Sequence, residues 1–89
     1  MIRWMRTDRG DGASEVLTLC KIDGEDDYVI QITSGPDLGD DFVGLYDLDG
    51  DQIPVSNTTW EAVDSAPAEL LSEIEQNWES GLTTVARLS

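Results

Sequence analysis

Carboxylates are the only side chains in this sequence numerous enough to do chemistry: nineteen acids stand beside a single cysteine, Cys20, and no histidine. Without histidine the commonest general base and metal ligand is missing, and Cys20 has no imidazole to draw off its proton. A pair of carboxylates does acid–base work only where a deep pocket drives their pKa values apart. A chain of 89 residues has little core from which to build one. No glycine-rich phosphate loop or nucleophile elbow is present. Neither an enzymatic activity nor a cofactor is expected. Asp47-Leu48-Asp49-Gly50-Asp51 places acids at the first, third and fifth positions of a calcium loop. Gln52 then stands where the sharp-turn glycine belongs, and Thr58 where the bidentate glutamate belongs. A hairpin turn accounts for the same residues, so no metal is expected there.

What remains for the carboxylates is recognition by charge. Nineteen acids and five bases leave a net charge of −14. The bases Arg3, Arg6, Arg9, Lys21 and Arg87 all lie toward the ends of the chain, and no positive side chain falls between Lys21 and Arg87. Like charges without internal counter-ions destabilise the compact state. The same charge excludes nucleic acid and anionic membrane as direct partners, since both require a basic footprint. The candidate contact set consists of Asp23, Glu25, Asp26, Asp27, Asp37, Asp40 and Asp41 in the first half, with Glu69, Glu73, Glu75 and Glu79 in the second. Arg9-Gly10-Asp11 reads as a turn, and Cys20, set among apolar residues, as a small core side chain.

The elements that carry these acids follow from periodicity and turn chemistry. One domain is expected over residues 1–89, with 39% hydrophobic content and three tryptophans for a core. Residues 2–7 read as an edge strand with a half-buried Trp4, and residues 15–22 and 28–33 as strands joined at Asp23-Gly24. Residues 35–41 form a loop broken by glycine and proline. Residues 42–48 and 52–55 make a second hairpin around Asp49-Gly50. Thr58 and Glu61 match a capping box, predicting a short helix over residues 58–64. A main helix is predicted from an N-cap at Ser65 to Ser80, with Gly81 as its stop. Pro67, Leu70, Leu71, Ile74 and Trp78 fall on one stripe of it. Residues 82–88 suggest a last strand. The fold class is therefore α+β: an antiparallel meander of four to five short strands packed against one main C-terminal helix. Residues 1–6 carry positive charge with no apolar run behind them, so no signal peptide is expected, and a single cysteine fits the cytoplasm, a host's if the protein is viral.

In size and charge the whole chain resembles phage-encoded inhibitors of host defence, the nucleic-acid-mimicking anti-restriction and anti-CRISPR proteins. That resemblance implies a small acidic inhibitor that occupies the basic nucleic-acid-binding surface of a partner protein and touches no nucleic acid itself. The alternative is a small accessory or interaction protein from a salt-accumulating cell, whose acidity is an adaptation to salt. A homodimer in which Arg3, Arg6 and Arg9 meet the acids of a second copy fits the same charge pattern. Salt separates the first two readings. A chain whose acids serve a partner is expected to unfold cooperatively on heating already at about 50 mM sodium chloride. One that is molten there and folds only toward about 3 M, where screening is nearly complete, carries its charge as salt adaptation.

Overall fold

A computed structural model describes residues 1–34 and 41–88. Its strands are β1 (Arg3–Asp8), β2 (Ser14–Ile22), β3 (Tyr28–Ser34), β4 (Phe42–Tyr46), β5 (Gln52–Ile53), β6 (Trp60–Ala62) and β7 (Thr83–Leu88). One helix, α1 (Ala68–Trp78), precedes β7. The expected α+β class holds, with seven strands in one antiparallel sheet: six in the order β5-β4-β3-β2-β1-β7, and β6 paired with β2 off that path. Both Asp-Gly turns form, and Gly24 and Gly50 adopt φ of 83° and 98°, a region open to glycine at little cost. Expected loop residues 35–40, which include Asp37 and Asp40, lie outside the described residues.

The nine-residue β2 organises the sheet because it is long enough for two strands to share one of its edges. β3 lies along one side. On the other side β1 pairs with Ser14–Thr18 and β6 with Cys20, Lys21 and Ile22. Leu19 is the joint: its N–H donates to the Ile2 carbonyl, and its carbonyl accepts from Val63 N–H. This overturns the short helix expected over residues 58–64. Thr58 and Glu61 match a capping box locally, but a helix there would leave the upper edge of β2 without partners, and buried backbone groups must be paired. The expected edge strand at residues 2–7 is also corrected. β1 lies between β2 and β7, and Trp4 is fully buried. The main helix is shorter than expected. Pro67 occupies the N-cap with no side-chain capping bond, so Ser65 does not cap it, and Glu79 is already extended.

Strand alternation divides the core between two faces. On one, Trp4, Leu17, Leu19, Ile30 and Ile32 pack under Leu71, Ile74 and Trp78 of α1. Each such aliphatic side chain contributes on the order of 1.5–3 kcal/mol by leaving water. The tryptophans bring polar edges with them, and each finds a partner. Trp4 Nε1 donates to Glu75 Oε1 at 3.0 Å, and Trp78 Nε1 to the Leu48 carbonyl at 3.2 Å. Trp78 also meets Tyr46 edge-on, while the Arg6 guanidinium, paired with Glu15, lies 5.0 Å from its ring centroid. On the opposite face Cys20, Val29 and Leu45 are buried beneath Trp60 and Ile53. Trp60 donates to Gln31 Oε1 at 2.7 Å and stacks on Phe42 at 5.7 Å between centroids.

Glu75 Oε1 also accepts from Arg87 Nε and Nη2, at 2.9 and 2.7 Å. The Trp4 indole, with help from Arg87, holds this carboxyl below the usual glutamate value of 4.5. A folded-state pKa below the unfolded one stabilises the fold above the unfolded value, and that contribution is lost as pH falls through the folded one. Glu75→Gln is therefore expected to lower unfolding stability at pH 7, with the difference from wild type closing below pH 4.5. Urea denaturation at pH 7 and in the acid range measures it; a gap independent of pH would contradict the role assigned to this carboxylate.

Candidate functional site

In an antiparallel meander, alternate turns leave the same end of the sheet. The β2–β3 turn (residues 23–27) and the β4–β5 turn (residues 47–51) therefore meet at one end, each on its Asp-Gly signal. Between them lies a depression of about 560 Å³. Glu25, Asp26 and Asp27 line it from one turn and Asp47 from the other, over a floor that includes Tyr28, Leu48 and Ile53.

The acids of this end do different work. Asp47 Oδ1 accepts the N–H groups of Asp49 and Asp51, at 3.0 and 2.9 Å, and so shapes its own turn. Asp23 is tied to the segment before β6: its N–H donates to the Thr59 carbonyl at 2.9 Å, and Thr59 Oγ1 donates to its carboxylate at 3.5 Å. Glu25, Asp26 and Asp27 are exposed, and their carboxylates have no ion-pair partner among the described residues. The nearby cation Lys21 lies 4.7 Å from the centroid of the Tyr28 ring. No three metal-ligating side chains among the described residues converge to hold an ion. Carboxylates around an apolar floor suit a long basic side chain, whose methylenes cover the floor while its charged head meets the rim.

The remaining acids expected to make contact are dispersed. Asp41 is exposed at the opposite end of the sheet, where its carbonyl accepts from the Ser34 N–H at 2.9 Å. Glu69, Glu73 and Glu79 are exposed on α1 or just beyond it. Glu75 does not join them. It turns toward the sheet, is half-buried, and is held by Trp4 and Arg87. Asp47, Asp49 and Asp51, which fall within the acidic 23–51 segment of the sequence, belong beside residues 23–27. The signal for them was present in the two Asp-Gly turns of one meander, two strands apart.

Cys20 is 1% exposed on the central strand. Burial pushes its thiol up to about 11, against a smaller opposing pull from the Gln31 backbone. A buried thiol held neutral is a poor nucleophile. No helix of the described residues is long and apolar enough to cross a membrane. No protein-family model, curated protein or solved structure gives a significant match to this chain. The buried thiol is expected to resist iodoacetamide at pH 8 in the native protein and to react fully in urea. Rapid native labelling followed by mass spectrometry would contradict the packing described around Cys20.

Proposed function

We propose that this protein is a non-catalytic binding module that presents the end formed by residues 23–27 and 47–51 to a basic protein. It acts as a nucleic-acid mimic, excluding DNA or RNA from that partner's binding surface. The observation that carries this reading is the convergence of two acidic turns around one concave, apolar-floored depression. Exposed carboxylates at fixed spacing reproduce the negative field of a phosphate backbone. A lysine or arginine entering the depression adds apolar contact and hence some selectivity. Association is fast because a field of one sign steers a basic partner from a distance. Glu69 and Glu73, exposed one turn apart on α1, extend the negative surface. The inhibitors of restriction or CRISPR systems that the chain resembles in size and charge belong to this class.

A general adaptation to salt accounts for the charge less well. It does not call for the bases to be segregated, whereas Arg3, Arg6, Arg9, Lys21 and Arg87 all lie toward the chain ends with no positive side chain between Lys21 and Arg87.

The test uses a lysine- and arginine-rich peptide and, in parallel, a basic DNA-binding domain already holding a fluorescent duplex. The protein is expected to bind the peptide, with affinity falling as salt rises, and to release the duplex. Reversing Glu25, Asp26 and Asp27 together to lysine is expected to weaken both effects by about a hundredfold, a few kcal/mol of lost charge complementarity. Glu69→Lys with Glu73→Lys is expected to weaken them less. Binding unaffected by the turn reversal would rule out this end as the contact. Peptide binding without duplex release would leave an acidic binding module and remove the mimicry.

A further inference from the structure

Lys21 is the chain's only lysine, and it stands beside the acidic turn end. Register places it between two different neighbours: Tyr28 across β3 and Glu61 across β6. Residues paired directly across strands project from the same side of the sheet, so one flexible side chain has both within reach. Each neighbour also opens on a hollow. Tyr28 belongs to the floor of the depression of about 560 Å³. Glu61 lines a second hollow, of about 270 Å³, together with Lys21, Asp23 and Glu25. Glu25 borders both, so Lys21 stands at the partition between them.

The lysine takes the aromatic neighbour. Its Nζ lies 4.7 Å from the Tyr28 ring centroid, within the range of a cation–π contact. Among the described residues it makes no ion pair, although Asp23, Glu25 and Glu61 line the same hollow. Glu61 is exposed, and its carboxylate likewise has no ion-pair partner among the described residues. A vacant seat for a cation therefore stands across the strand from an occupied one. The occupied seat holds an alkylammonium on an aromatic ring beside carboxylates, the chemistry that a partner's lysine would bring to the same floor.

We infer that Lys21 is a tethered competitor for the acidic depression. In the free protein its ammonium takes the Tyr28 ring, and a basic side chain of the partner displaces it toward Glu61. This inference rests on the reading of the turn end as the contact for a basic partner. An entering cation meets a like charge at the ring, which opposes binding until the lysine leaves. The lysine leaves readily because its two seats are comparable and weak: neither a cation on a partly exposed ring nor an exposed ion pair contributes much. An equilibrium so nearly balanced is shifted by a ligand that favours one state. The consequence is selectivity. A lone cation meets a site already filled, whereas a segment with several basic residues engages Glu25, Asp26, Asp27 and Asp47 together and displaces the lysine.

A single lysine makes the contact directly readable by NMR. In protein carrying isotope-labelled lysine, the Tyr28 ring current is expected to hold the Lys21 ε-methylene protons upfield. Adding an unlabelled arginine-rich peptide is expected to return them to the ordinary lysine position. Lys21→Met keeps the apolar stem and is expected to bind that peptide about tenfold more tightly, since a like charge close to the entering one is gone. Arg9→Gln removes an equal charge at the opposite end of β2, roughly 20 Å away along the strand. With a Debye length of about 10 Å at 0.1 M salt, it is expected to change affinity about twofold or less. Glu61→Gln is expected to weaken binding more in the wild type than in Lys21→Met, because only the wild type needs the second seat. If neither the wild type nor Lys21→Met binds the peptide, the proposed function fails. If the wild type binds and Lys21→Met is no tighter than Arg9→Gln, that function stands and this inference is overturned. An ε-methylene signal that stays in place as the peptide binds would overturn it as well.

Discussion

Helix α1 rests on the sheet through an apolar stripe, which is non-directional and would tolerate rotation or sliding. What gives the helix a single setting is the Glu75 carboxylate, which accepts from Trp4 on β1 and from Arg87 on β7 through one oxygen. Charge-assisted bonds of this kind are stronger than neutral ones and have direction. Through them a fully buried tryptophan keeps its N–H satisfied, and no buried side-chain polar atom among the described residues lacks a partner. The same oxygen draws β7 toward the helix, so that the last strand, the first strand and the helix depend on one another. In a domain of this size, with a thin core, such a joint is what distinguishes one packed arrangement from several loose ones.

The second constraint is the excess of negative charge. Its few counter-ions are committed locally: Arg6 to Glu15, Arg87 to Glu75, and the amino terminus to Asp64. Exposed pairs contribute little to stability, so these arrangements do not neutralise the molecule. They place the cations near β1 and β7 and leave the turn end and the outer helix surface unbalanced. A field with that much asymmetry acts at a distance on any charged partner, and it is the physical basis on which the acidic end is read as a contact surface.

The sheet face opposite α1 has a different physics. Its buried residues are held by Trp60, which lies over the strands and is fixed by Gln31 and Phe42.

Much of the fold was legible in the sequence because its signals are local. Strand alternation in residues 15–22 and 28–33, the two Asp-Gly turns, the stripe of Leu71, Ile74 and Trp78, and the net charge all follow from neighbours in sequence. What only the tertiary structure decided depends on which strands become neighbours. The capping pattern at Thr58 and Glu61 yielded to pairing along β2, because the open edge of a distant strand outweighed a local helix signal. Trp4 moved to the centre because β7, some eighty residues on in the chain, closed the edge beside it. Glu75 looked like one more surface glutamate, since helical spacing says nothing of an indole N–H waiting on another strand. The meeting of residues 47–51 with residues 23–27 required strand order and register, and those are properties of non-local pairing that no window of sequence contains.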